Sequence, residues 1–115
     1  MRKCAITILS VVLMAQGAVA AEKTVKCEIT SGNKIVFNAN CVFMPEEGGS
    51  FSLSGIKQKP FFDGISVISV SIIEKGVAEV RGLTADGINS RWGEAKRSNK
   101  DKACWVGEDF KVCAR

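Results

Sequence analysis

From Lys23 onward the chain repeats one pattern: short segments rich in Val, Ile, Phe and Ser, broken about every ten residues by turns containing Gly, Asn and Asp. No stretch sustains the 3.6-residue apolar repeat of an amphipathic helix. β-branched and aromatic side chains suit a half-buried pleated surface. The pattern therefore predicts an all-β domain of about eight antiparallel strands, a small barrel or a sandwich, with helices few or absent. With 115 residues, 46% of them apolar, there is material for one such domain and not for two.

The segment before Lys23 reads differently. Met1-Arg2-Lys3 is positive, residues 6–14 are apolar, and Ala18-Val19-Ala20 has the small-residue form that a signal peptidase accepts. Residues 1–21 are read as a cleaved secretory signal and 22–115 as the mature domain. The apolar run is interrupted by Thr7 and Ser10 and ends at Gln16-Gly17, so it is too short for a transmembrane anchor of about 20 residues. Cys4 precedes the apolar run, which argues against a lipid-bearing cysteine. Removing Arg2 and Lys3 lowers the 16 basic groups to 14, against 12 acidic ones. A nearly neutral mature protein has no long-range pull toward nucleic acid or an anionic membrane.

Turn lengths set the pairing of the hairpins, because directly opposed residues of antiparallel strands point to one face. Segments 24–30 and 34–43 flank Ser31-Gly32-Asn33. Pro45 to Gly49 form a loop before a short strand, and Gly55 to Gly64 an irregular connection. Across Glu74-Lys75-Gly76, Ile72 faces Ala78, Val70 faces Val80 and Ile68 faces Gly82, all apolar or small. Ser71 then faces Glu79 and Ser69 faces Arg81 on the wet side. Beyond an Asp86-Gly87 turn, Val80 opposes Gly93 and Ala78 opposes Ala95. The same register sets Trp92 beside Arg81, so Trp92 is predicted to be exposed with a guanidinium near it. It also opposes Glu79 to Glu94, a like-charge pair that calls for Arg81 or Lys96 diagonally between them.

Four cysteines follow the leader: Cys27, Cys41, Cys104 and Cys113. An even number in an oxidising compartment predicts two disulfides. A two-residue turn at Glu108-Asp109 sets Cys104 opposite Cys113, with Trp105 and Val112 on the core side. Cys27 and Cys41 pair by elimination, but a tight turn at Gly32-Asn33 opposes Cys27 to Asn38, so this bridge needs a bulge or bend and crossed connectivities stay open. A zinc site is the rival, disfavoured because the chain has no His and no CxxC pair. No metal or cofactor is expected.

Catalysis is disfavoured too. His is the usual acid–base group at neutral pH and the usual activator of Ser or Cys nucleophiles, and oxidised cysteines supply no thiolate. An enzyme built on carboxylates alone would need two of Asp63, Glu79, Asp86, Glu94, Glu108 and Asp109 to converge in a cleft. Gly48-Gly49-Ser50 is turn material, since no GK[ST] follows. The chemically richest stretch is 91–102, where Arg91, Lys96, Arg97, Lys100 and Lys102 outnumber Glu94 and Asp101 beside Trp92. Arg and Trp are enriched at binding hot spots. A solvated strand edge guarded by lysines is the competing reading.

Thr24-Val25-Lys26-Cys27, followed by Gly32 and Ile35-Val36-Phe37, resembles the first hairpin of the membrane-bound and periplasmic inhibitors of c-type lysozyme, and the C-terminal part is similar as well. The resemblance implies a small exported antiparallel β-barrel. Such a barrel pushes a Ser-Gly loop with a Tyr into the lysozyme cleft and carries a Trp-x-Lys-Gly stretch soon afterward. The corresponding region is Thr84-Ala85-Asp86-Gly87 with Ser90-Arg91-Trp92, then Cys104-Trp105-Val106-Gly107. Asp86 stands where the family has Ser, Trp92 takes the place of the Tyr, and Val106-Gly107 lacks the Lys. The expectation is a non-catalytic periplasmic or secreted binding protein, of the lysozyme-inhibitor kind that protects the cell wall. Its expected contact residues are Asp86, Asn89, Ser90, Arg91 and Trp92, with Arg81 and Lys96. The alternative is an envelope structural or stress protein that uses Arg91 and Trp92 on peptidoglycan, lipid head groups or an outer-membrane protein. The partner is thus a protein or a cell-envelope glycan.

Overall fold

The computed structural model describes residues 21–115, so all but the last residue of the expected signal segment, and Cys4 with it, lies outside the described residues. Eight antiparallel strands follow one another around a closed barrel: β1 (Lys23–Ser31), β2 (Lys34–Pro45), β3 (Phe51–Ser54), β4 (Ile65–Glu74), β5 (Val77–Thr84), β6 (Asn89–Arg97), β7 (Cys104–Gly107) and β8 (Phe110–Ala114). Pairing of β8 with β1, from Cys27↔Ala114 to Ser31↔Phe110, closes the circle. Closure decides between the two expected architectures, since it leaves no strand edge for solvent or another chain to pair with. Two single-turn 3₁₀ segments, Glu47–Gly49 and Ile56–Gln58, interrupt the β2–β3 and β3–β4 connections.

Inward residues alternate along β3, the middle of β4, and β5. Ile29, Leu53, Ile68, Val70, Val80 and Val112 are fully buried, and Cys27, Cys41, Phe51, Phe61, Trp105 and Phe110 are among the residues that join them in the core. The β4–β5 hairpin has the expected register, Ile72↔Ala78, Val70↔Val80 and Ile68↔Gly82 inside, Ser71↔Glu79 and Ser69↔Arg81 outside. Gly76 takes φ 76° at its turn, a left-handed conformation that glycine adopts without steric penalty. The last hairpin also matches, with Cys104↔Cys113 and Trp105↔Val112, and Trp105 is buried in the core as expected.

Both disulfides form, Cys27–Cys41 and Cys104–Cys113, with Cα–Cα distances of 5.8 and 4.0 Å. The first is reached through the expected irregularity. A register shift between Ile29 and Thr30 moves Cys27 opposite Ala39 and Cys41 opposite Val25. The two sulfurs then meet diagonally on the inner face. The second bridge lies on the other face of its hairpin from Trp105, yet both cysteines are buried, under a C-terminal cover in which an Arg115 Nη reaches within 3.8 Å of the Cys104 sulfur.

Alternating strand direction sorts the connections to two ends. The β1–β2, β3–β4, β5–β6 and β7–β8 turns gather at one end, and the β2–β3, β4–β5 and β6–β7 connections at the other, beside both termini of the barrel.

Candidate functional site

At the four-turn end, five aromatic rings run in a continuous chain. Phe37 packs on Phe61 (4.5 Å between centroids), Phe61 on Phe62 (5.0 Å), Phe62 on Trp92 (6.2 Å) and Trp92 on Phe110 (5.6 Å). The inclined, edge-to-face geometry of these pairs is the favoured one for rings whose faces are negative and edges positive.

Trp92 belongs to this chain because of a β-bulge, and this corrects the expectation of an exposed indole. Between Val80↔Gly93 and Arg81↔Arg91 the β5–β6 register shifts by one, so Trp92 and Gly93 together oppose Val80. The extra residue changes the inside–outside parity. Arg91, not Trp92, lies opposite Arg81, and Trp92 turns inward to half-burial against the core. Gly93 carries the distortion at φ 126°. The indole lies over Gly82, where a Cβ would meet Trp92 Nε1 at 3.0 Å and Ile65 Cδ1 at 2.9 Å. Phe110 lies over Gly107 in the same way, with a Cβ there falling 2.1 Å from its ring.

The predicted contact residues consequently separate. Arg81 and Arg91 share the outer wall, where both pair with Glu79: Arg91 through a direct hydrogen bond and Arg81 at 3.5 Å. The opposed Glu79↔Glu94 pair is present, and Arg81 and Arg91, rather than Lys96, offset it. The Arg91 guanidinium holds the Glu79 carboxyl below the usual carboxylate range, with Arg81 adding to the effect against an opposing contribution from burial. Ser90 donates to the Gly82 carbonyl at 3.2 Å, and Asp86 and Asn89 are exposed at the β5–β6 turn. Lys96 pairs with Val77 and Val106 near the opposite end, about 17 Å along β6 from Arg91 at the usual strand rise. It is not part of this surface.

Arg91 and Trp92 do line one feature together, a hollow of about 260 Å³ shared with Ser31, Asp109 and Phe110. Trp92 and Phe110 make its apolar part, and Arg91, Asp109 and Ser31 its polar part. Ser31, Asp109 and Phe110 were not legible as site residues. They reach Trp92 only because barrel closure sets the β1–β2 turn against the β7–β8 turn, fastened by Gly32 N–H to the Asp109 carbonyl at 2.7 Å. Ala85 N–H bonds the Gly64 carbonyl at 3.1 Å and joins the two remaining turns. Of the six carboxylates considered for catalysis, Asp109 lines the hollow, and Glu79 and Glu94 face each other on the outer wall.

Among the described residues, no group of three or more His, Cys, Asp or Glu is placed to hold a metal ion, and no helix is long and apolar enough to cross a membrane. The fold and the hollow define an eight-stranded, disulfide-fastened up-and-down β-barrel with an aromatic-floored recess at one end. Compared with known proteins, the chain matches no protein-family model, no curated protein and no solved structure.

Proposed function

We propose that this is an exported, non-catalytic binding protein of the cell envelope, and that it engages its partner at the four-turn end of the barrel. The observation that carries the reading is the hollow itself, an apolar floor of Trp92 and Phe110 with Arg91, Asp109 and Ser31 as polar walls. Its lining is more polar than apolar, with an aromatic pair to seat an apolar group and convergent polar groups to orient it. Arg and Trp, both in its lining, are residue types enriched among those that dominate binding energy. Two disulfides support export, since such bridges persist in oxidising compartments.

The resemblance of the β1–β2 and C-terminal segments to lysozyme inhibitors supplies the specific form of the proposal: the partner is a c-type lysozyme, met by the β5–β6 turn and the adjoining recess. Purified protein lacking residues 1–20, added at micromolar concentration to c-type lysozyme in a cell-wall clearing assay, should slow clearing, and Arg91→Ala should weaken the effect. Unchanged clearing removes the inhibitor form. The aromatic floor favours one second reading, an envelope glycan whose sugar ring lies on Trp92 and Phe110. Retention on insoluble peptidoglycan, lost in Arg91→Ala, would select that reading over the first.

A further inference from the structure

The opposite end of the barrel carries a second recess, of about 210 Å³, that the proposed function does not use. Its apolar part is Phe43 stacked on Phe51 at 4.9 Å, together with Trp105. Arg97 and Lys102 are the charged residues that line it. The Arg97 guanidinium stands 5.4 Å above the Trp105 ring, and the Lys23 ammonium lies 5.7 Å from the Phe43 centroid. Both geometries place a cation over an aromatic face.

Of these cations, Arg97 is held in place without an acid. Arg97 donates from Nε to the Lys102 carbonyl at 2.8 Å, which leaves its two terminal nitrogens for another acceptor. The 98–103 loop that bears Lys102 is internally tied. The Ser98 hydroxyl accepts from the amides of Lys100 and Asp101, and an Asp101 carboxylate oxygen accepts from the Ala103 amide. Asp101, the acid adjoining Lys102, is turned to Arg115. The ion pairs among the described residues use Arg81, Arg91 and Arg115, not Arg97 or Lys102.

We infer that this recess is a binding site for a small aromatic carboxylate, with the carboxylate between Arg97 and Lys102 and the ring against Phe43, Phe51 and Trp105. A guanidinium offers paired N–H donors that match a carboxylate, and its fixed position limits the ordering lost on binding. Size is consistent with the class, because the recess, at about 210 Å³, exceeds the about 150 Å³ of a closed cavity that holds benzene. Two sources carry that chemistry, a free aromatic acid and the C-terminal aromatic residue of a peptide.

Phenylacetate stands for the first source and N-acetylphenylalanine for the second, each titrated into isotopically labelled protein lacking residues 1–20. The expected result is saturable amide and indole NMR shifts at Trp105, Ala103 and Gly49, at millimolar or lower concentration, with Trp92 unmoved. The tighter probe identifies the source. Benzyl alcohol, which lacks the charge, should bind roughly ten-fold or more weakly, as should phenylacetate to Arg97→Gln. Lys102→Gln keeps the carbonyl that orders Arg97 and should weaken binding by a smaller factor. The inference is overturned if neither acid shifts the Trp105 end, if benzyl alcohol binds as well as phenylacetate, or if folded Arg97→Gln and Lys102→Gln both bind like the wild type. Because Trp92 and Arg91 lie at the other end, these outcomes are independent of the lysozyme and glycan tests.

Discussion

Replacing Trp92 by Ala separates the two possible orientations of β6 in a single measurement. On the outer wall, an exposed indole contributes little, and its removal changes stability by no more than about 0.5 kcal/mol. The bulge at Gly93 instead turns the ring inward onto Phe62, Phe110 and Gly82. Truncating a fully buried Trp costs about 3–5 kcal/mol, and half-burial scales this to about 2. Two inclined ring contacts, each taken at the lower end of about 0.5–1.5 kcal/mol, add about 1 kcal/mol more. The expected loss is thus about 2–3 kcal/mol. For a domain of about 95 residues, each kcal/mol shifts Tm by about 4–8 °C, so the midpoint should fall by about 10–20 °C. Urea and thermal unfolding followed by circular dichroism, with the disulfides intact, provide the measurement. The Phe110→Ala variant and the double variant complete a cycle whose coupling should be about 0.5–1.5 kcal/mol. A loss below about 0.5 kcal/mol with unchanged urea dependence, or zero coupling to Phe110, would refute the inward placement.

Gly107→Ala should destabilise by about 1–3 kcal/mol, because a methyl group there overlaps the Phe110 ring; a urea midpoint equal to wild type would show that the ring does not lie over Gly107. Glu79 has its folded-state pKa lowered from 4.5, so its contribution is complete above the ordinary carboxylate value and is lost as pH falls through the lower, folded value. Urea midpoints should therefore fall less steeply over that acid range in Glu79→Gln than in wild type, and parallel profiles would contradict the Arg91 pairing. The disulfides span sequence separations of 14 and 9, for which loop-closure entropy gives about 3 kcal/mol each. Paired Cys→Ser variants at either bridge should each lose about that amount, and a thiol titration of unfolded, unreduced protein lacking residues 1–20 should find no reactive sulfhydryl.

Local sequence carried much of the fold because turn length and two-residue alternation are local quantities. The three-residue spacing around Lys75 is enough to oppose Val70 to Val80, and Glu108-Asp109 is enough to oppose Cys104 to Cys113. The even number of cysteines after residue 20 and the alternating Val, Ile and Ser similarly needed no tertiary information. What the alternation could not supply was a break in its own parity. One extra residue at Trp92 reverses which face the indole occupies, and the shift at Ile29 and Thr30 brings Cys27 within reach of Cys41. Neither change has a marker beyond a nearby glycine or an otherwise unsatisfied pairing.

Barrel closure was settled only by the assembled chain, since the contact of β1 with β8 joins segments that no short-range pattern connects. That contact places Ser31, Asp109 and Phe110 around Trp92 and collects Arg97, Lys102, Phe43 and Phe51 at the other mouth. Strand identity and hairpin register follow from neighbours along the chain, whereas a recess between turns depends on how eight twisted strands meet after a full circuit. Alternation along the backbone determined which residues form walls; the way those walls close determined which of them face one another across a site.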